Sequence, residues 1–291
     1  LVSDADTGEQ FSVSVYSDSA RTLQIGSTSS SQVLETSPLI RGNSLYTIVD
    51  GASWTQAEAN AVNLGGHLAS INTWEEDLFL LTNITNGGGW IGYTDKDQEG
   101  VWVWSDGSTS TYTRWDASNP SNGWGAEHFA TLDINAYWQW GAGWNDLPDR
   151  YWEYTGGSPS PGMPGIAEIP LTLSITRTGI VKEGTGVFTT SINLSAGNQT
   201  SGNLAEGATV YWKITGITAD DLASGALTGS GTITNGKLDL QHSLVSDADT
   251  GEQFSVSVYS DSARTLQIGS TSFSQVLEIS PTIRGNSLYT I

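Results

Sequence analysis

The chain has 291 residues, 31 acidic against 11 basic, a formal net charge of −20 and no cysteine. This leaves room for about two domains and excludes disulfides, thiolate zinc sites and thiol catalysis. The acidic excess argues against nucleic acid and anionic membrane surfaces as partners. No run of about 18 apolar residues is present, so no membrane span is expected. No signal peptide is visible, and none is expected of a chain that begins in mid-pattern. Thirty-four glycines, with abundant Ser and Thr, point to a turn-rich β protein.

Residues 1–48 recur as 244–291, offset by 243, with three differences: Ser30 becomes Phe273, Thr36 becomes Ile279 and Leu39 becomes Thr282. A period this long must contain whole domains. The expectation is a window cut from a longer tandem array, holding the tail of one unit and then a full unit.

In residues 1–42, Phe11, Val13 and Val15 and then Leu23 and Ile25 alternate with polar residues, which predicts strands ending a preceding β domain. Residues 43–169 differ, holding eleven of the twelve Trp. Ser44–Val49 reads as an opening strand. A helix follows, with Thr55 and Glu58 as a capping box, Ala57, Ala61 and Leu64 on one face, and Gly65-Gly66 as its stop. A second helix is capped by Asn72 or Thr73, with Glu75, Glu76 and Asp77 in its positive first turn. WIGYTD and VWVWSDG read as short strands, and GIAEIPL as a closing strand. Between them Trp115–Pro148 is rich in Trp, Gly, Asn and acidic residues. Its Asn119, Ser121, Asn122, Glu127, Asn145 and Asp146 offer hard oxygen donors of the type that suits calcium. Residues 170–284 alternate again in about seven short runs, the pattern of an immunoglobulin-like β-sandwich. Residues 285–291 would open the next unit.

The succession SLYTI, SWTQAEANAVNLGGHLASINTWEEDLFL, WIGYTDKDQEGVWVWSDGS, YTRW, NPSNGWGAE, GWNDLP and GIAEI resembles the C-type lectin-like domain over about 125 residues. The resemblance implies a mainly β fold with an α+β part: two helices, antiparallel strands and long loops. The family's usual disulfides are missing, with Phe129 and Ala167 near positions where Cys is common, as in cysteine-free bacterial members. Glu183-Gly184, TVYWKITGITADDLASGALTGSGTI and SDADTGEQFSVSVYSD resemble Calx-beta domains of bacterial surface proteins.

The lectin-like resemblance implies a calcium ion held by a Glu-Pro-Asn loop, a Glu six residues on, and the Asn-Asp of a Trp-Asn-Asp strand. Here the matching residues are Asn119, Ser121, Glu127, Asn145 and Asp146. Asn119 replaces the family's Glu or Gln, and Ser121 its Asn or Asp. A cis bond before Pro120 belongs to that motif. Two carboxylates remain, so the expected affinity is weak, near about 10⁻⁴–10⁻³ M. The alternative is that Trp144, Asn145 and Asp146 hold the loop by hydrogen bonds without metal. A second, weaker calcium set implied by the family is Asp95, Glu99, Asn122, Glu127 and the His128 carbonyl; the bland reading is a solvated acidic turn. Ligand contact is expected from Asn119, Ser121, Glu127, Asn145, Trp124 and Trp140, with Trp138 and Trp152 as further exposed-ring candidates. Trp90, Trp102, Trp104 and Trp115 are expected in the core. In the second domain Glu183, Asp220, Asp221, Asp247, Asp249 and Glu252 could meet at one end, as calcium ligands of the Calx-beta kind or as ordinary polar loops.

His67, His128 and His242 have no nucleophile partner by any motif, and no phosphate loop is present, so no enzyme is expected. Carboxylates are abundant enough to leave a glycosidase open. The expected function is a repeat unit of an extracellular or cell-surface bacterial adhesin that binds glycans or surface proteins with calcium. The alternative is a structural repeat of a filament, sheath or surface layer, packed against neighbouring repeats and other copies of the chain.

Overall fold

The computed structural model describes residues 10–16, 24–31, 38–51, 53–84, 88–132, 143–150, 163–184, 186–198, 202–247, 251–277, 282–284 and 287–289. For 10–16, 24–31, 282–284, 287–289 and Trp124 the description is of the backbone. Leu1–Ser37 and Pro38–Ile291 are two compact units.

The first unit contributes an antiparallel pair, β1 (Gln10–Tyr16) and β2 (Gln24–Ser31). The second opens with a hairpin, β3 (Leu39–Arg41) and β4 (Ser44–Val49), turning at Gly42. Helix α1 (Trp54–Leu64) follows. Its cap is Ser53, whose hydroxyl accepts from the Gln56 N–H, not the expected Thr55. Burial of Trp54 draws the helix start back: the ring is 2% exposed and its Nε1 donates to the Ile91 carbonyl at 2.8 Å. Glu58, freed from capping, instead accepts from the Leu68 N–H and contacts His67 Nδ1. The helix stops at Gly65, whose φ of 98° is left-handed and suits glycine.

After β5 (His67–Leu68), helix α2 (Trp74–Asn83) is capped by Thr73. Two of its first-turn acids are buried. Tyr46 donates its hydroxyl to Glu76, and Arg114 makes an ion pair with Asp77, which also accepts from Tyr112. Strands β6 (Gly89–Thr94), β7 (Val103–Trp104), β8 (Phe129–Leu132) and β9 (Trp144–Leu147) complete this part. β8 pairs with both β6 and β9. An aromatic cluster lies beneath the long loops. Trp144 is fully buried and meets Trp104, Tyr112 and Trp115 at ring distances of 5.7–5.9 Å; Tyr93 lies 4.4 Å from Trp104. Trp90 and Trp104 are buried, while Trp102 and Trp115 are partly buried against the same core.

Strand β10 (Gly165–Thr178) runs through two environments. Gly165–Pro170 pairs with β4, and Leu171–Thr178 with β11 (Phe188–Ala196). The boundary expected between 169 and 170 therefore lies inside one strand. Pro170 sits at the handover, where its missing N–H breaks no central ladder. β11 continues to β14 (Lys237–His242). Facing them is a sheet ordered β13 (Thr228–Thr232), β12 (Thr209–Thr215), β15 (Gln253–Tyr259), β16 (Gln267–Gln275). One apolar core joins Leu45, Ala57, Leu68 and Ile169 of the first part to Ile192, Leu194, Val210 and Ile268 of these sheets. The chain ends in a further hairpin, β17 (Thr282–Arg284) and β18 (Ser287–Tyr289). No helix among the described residues is long and apolar enough to cross a membrane.

The duplicated sequences can be compared strand by strand. β17–β18 repeats the register of β3–β4: Ile283 faces Leu288 as Ile40 faces Leu45. β1–β2 and β15–β16 differ. Phe11 faces Ser30, whereas Phe254 faces Ser274, the equivalent of Ser31. β15 is also held by β12, with Val256 opposite Ile214, and a third strand constrains register in a way that a lone pair does not.

Candidate ligand surface and metal-binding residues

The loop from Asn119 to Glu127 is built on two carboxylates, one at its own end, Glu127, just before β8, and one from the neighbouring strand β9, Asp146. Asp146 projects from β9, itself pinned between β8 and the 114–116 segment, where Trp144 N–H donates to the Arg114 carbonyl and Asp116 N–H to that of Trp144. The peptide Asn119–Pro120 is cis. Immediately after it, Ser121 N–H donates to Asp146 Oδ1 at 2.8 Å and Asn122 N–H to Oδ2 at 2.6 Å. Glu127 Oε2 accepts from Ser121 Oγ at 2.9 Å and from Gly123 N–H at 2.6 Å. A Cβ on Gly123 would lie 2.8 Å from the Glu127 carboxylate, so only glycine permits this approach. Asp146 has no exposed surface and Glu127 is 8% exposed. Buried polar atoms need such partners to offset the loss of water.

Asn119 and Asn145 are half-buried, and their side chains make no hydrogen bond among the described residues. Ser121 is exposed. Asn119, Ser121, Glu127, Asn145 and Asp146 thus lie on one loop and the strand beside it. Trp124 follows Gly123 in a single 3-10 turn, Gly123–Gly125. Trp138, Trp140 and Trp152 lie outside the described residues.

The donor set fits a calcium ion. Asn119 and Asn145 can offer amide oxygens, Glu127 an oxygen not engaged by the loop, and Asp146 its remaining lone pairs. The loop's own N–H groups already neutralise both carboxylates in part, so the loop does not need the ion for its shape, and the ion would have to share them.

The second acidic group is arranged differently from the expected set. Asp95, 2% exposed, points Oδ1 at His128 Nδ1, 3.1 Å away, while Oδ2 accepts from Gly100 N–H at 2.8 Å. Glu99 Oε2 is 3.4 Å from the same His128 nitrogen. The His128 carbonyl, expected as a ligand, accepts from Thr94 Oγ1 at 2.7 Å and Asp95 N–H at 3.2 Å. Asn122 Oδ1 accepts from Glu127 N–H at 3.4 Å. The imidazole was not among the residues singled out from the sequence; Asp95 and His128 are 33 positions apart, and only the pairing of β6 with β8 brings them together.

In the C-terminal sheets, Glu183 and Asp221 are buried. Desolvation, then the nearby Asp221, Asp247 and Glu183, raises Glu252 to about 7. Burial pushes Asp221 upward, but hydrogen bonds from Thr218, Asp247 and Glu252 hold it below the usual carboxylate range. Asp220 is exposed, and Asp249 lies outside the described residues.

Residues 50–152 match the family described as Lectin C-type domain. C-type lectin domain family 4 member F from Mus musculus is 36% identical over 85 residues, 28% of this chain and 16% of that protein, so the chain spans about a sixth of that relative. The cow C-type carbohydrate-recognition domain of CD23, solved in the presence of GlcNAc2Man3 oligosaccharide, aligns at 24% identity and a TM-score of 0.39, covering 48% of this chain and 98% of that one. Galactose-specific lectin nattectin from Thalassophryne nattereri is 36% identical over 111 residues, covering 36% of this chain and 67% of that protein. With two thirds of nattectin matched at this identity, and the family itself matched over 50–152, the chain belongs to the C-type lectin domain family.

Proposed function

We propose that the 119–127 loop and the Asn145-Asp146 strand bind carbohydrate through calcium, in an extracellular or cell-surface adhesin. The observation that carries this reading is the convergence of Glu127 and Asp146 on the loop after the cis Asn119–Pro120 peptide, beside the unengaged amides of Asn119 and Asn145. Calcium would supply a positive centre that a sugar's vicinal hydroxyls can coordinate. The chain's own residues orient it: Ser121 and Gly123 hold Glu127, and two backbone N–H groups hold Asp146. The named specificity of nattectin for galactose supports a glycan as the ligand class.

The test is binding of the intact chain to a panel of immobilised glycans with calcium and then with chelator. Binding is expected only with calcium, and loss is expected in Asp146→Asn and in Asn145→Ala. Binding that persists in chelator and in both variants would remove the calcium-bridged reading.

A second reading is favoured by the near-identity of residues 1–48 and 244–291. Here the lectin-like part, followed by an immunoglobulin-like or Calx-beta sandwich, is one repeat of a bacterial filament, sheath or surface layer. Images of the assembled protein with beads at one regular spacing, and no glycan binding, would select it.

A further inference from the structure

The structure assigns a small-anion site, of the chloride class, to the space between the two C-terminal sheets, at Arg177, Thr190 and His242. It is separate from the 119–127 loop and does not depend on what that loop binds. Three strands bring these residues to the inner face of one sheet. Arg177 of β10 is the register partner of Thr190 of β11. Phe188, two residues before Thr190, is the partner of His242 of β14. Phe254 of the facing sheet closes the group: its ring lies 5.2 Å from Arg177 Cζ and 5.0 Å from the His242 ring. Thr190 has no exposed surface and His242 is 6% exposed. Among the described residues, Arg177 Nε, Thr190 Oγ1 and His242 Nε2 are each buried without a hydrogen-bond partner.

Charge selects the ligand. The other nitrogens of the half-buried Arg177 donate to the Ser272 and Ser274 hydroxyls and the Ser272 carbonyl, at 2.9–3.2 Å. These oxygens are neutral, and among the described residues the guanidinium meets no carboxylate. Glu252, two residues before Phe254, has Asp221, Asp247 and Glu183 as its charged neighbours. Burial, and then the Arg177 charge, lower His242, so guanidinium and imidazole lie within electrostatic reach of each other. A cation withdrawn from water without a counter-ion is costly. Each unpartnered atom can donate: a guanidinium N–H, a hydroxyl, and an imidazole N–H in the Nε2 tautomer. A buried water would satisfy hydrogen bonds here but leave the positive charge in place. A monovalent anion accepts from all three donors and cancels the charge.

The experiment is urea unfolding of the intact chain at pH 7, with sodium chloride replacing sodium gluconate at constant ionic strength. An ion that binds only the folded chain raises the folding equilibrium constant in proportion to its occupancy. In about 0.3 M chloride that constant is expected to rise at least fivefold. The rise is expected to fall below about twofold in Thr190→Val, which keeps the side-chain shape and removes one donor, and in His242→Phe, which removes another. Ser191→Ala, on the outward face of the same strand where its hydroxyl donates to Asp239, is expected to keep the full rise. Comparing each variant with itself in the two salts separates anion binding from any stability the substitution costs. No rise in the parent chain, or an equal rise in either Thr190→Val or His242→Phe, would overturn the site and leave an ordinary buried water between the sheets.

Discussion

The two halves of β10 answer to different physics although they are one strand. In Gly165–Ile169 nearly every residue is buried, whichever way its side chain points; from Leu171 to Thr178 burial alternates strictly. The first half lies between helix α1 on one face and the aromatic core on the other, with Ala167 in one cluster and Ile166 in the other. The second half covers only the facing sheet, so Leu171, Leu173 and Ile175 turn inward and Thr172, Ser174 and Thr176 meet water. The halves also treat buried ionisable groups differently. Asp77, Glu127 and Asp146 receive donors matched to their oxygens. In the C-terminal half His242 Nε2 and Glu252 Oε2 are buried without a hydrogen-bond partner among the described residues. The lesson concerns these particular groups: the buried carboxylates of the loop-rich half are each met by donors, although Ser70 Oγ, Trp90 Nε1 and Trp144 Nε1 there are not, while His242 and Glu252 in the strand-rich half each keep a buried atom without a partner among the described residues.

The largest test of this contrast is steric. Ile166→Ala is expected to cost about 2–5 kcal/mol and Ala167→Leu about 1–3 kcal/mol, since both faces are filled. Thr172→Leu on the outward face of the second half is expected to stay within about 0.5 kcal/mol. Urea unfolding measures all three, and a costly Thr172→Leu would break the comparison.

The next test is acid. Burial, with Arg177 nearby, lowers His242 to about 4, against about 6.5 unfolded. Below pH 6.5 the unfolded chain takes up a proton that the folded chain refuses. Stability from this group is therefore full above pH 6.5 and falls as pH drops toward 4, by about 3 kcal/mol in all. His242→Phe is expected to flatten that limb of a stability–pH curve.

Glu252 works in the opposite sense. Its folded value of about 7 lies above the unfolded one, so its contribution is present below about pH 4.5 and is lost as pH rises through 7. Glu252→Gln is expected to raise stability at pH 8 by about 1–3 kcal/mol, read by urea unfolding against the parent chain; a loss of stability would show that the hydrogen bond between Glu252 and Asp221 outweighs the cost of burying its charge.

The smallest expected effect is calcium in the loop-rich half. At tenfold excess over its dissociation constant the ion stabilises by about 1.4 kcal/mol. A melt with calcium and then chelator is expected to differ by a few degrees, and the difference is expected to vanish in Asp146→Asn. Persistence of the shift in that variant would move the ion elsewhere.

Much of this arrangement was legible in the sequence, and the exceptions share a cause. The stop of α1 at Gly65 follows from left-handed backbone, which only glycine adopts freely. The set Asn119, Ser121, Glu127, Asn145 and Asp146 came from the resemblance to the lectin-like domain, and in the fold these residues lie on one loop and the strand beside it. The acidic first turn of α2 reads the same whether it faces water or the core, and here Glu76 and Asp77 face the core. VWVWSDG yields only a two-residue strand, since Val101 and Val103 remain exposed while Trp104 is buried. The His128 imidazole, unlike its carbonyl, carries no local signal. Its partners arrive through strand pairing, which a pattern of periods and caps does not encode.

The hairpin that opens the second unit has a kinetic meaning. Leu39–Arg41 and Ser44–Val49 meet across a turn of two residues, and the copy at 282–289 forms with the same partners. Hairpins of this span close in about 1–10 μs, long before strands hundreds of residues apart can find each other. Near-identical neighbours are prone to trade segments during folding. Each of the two duplicated hairpins can therefore close on itself before its long-range partners in the chain arrive, which leaves less free chain available for exchange between the duplicated segments.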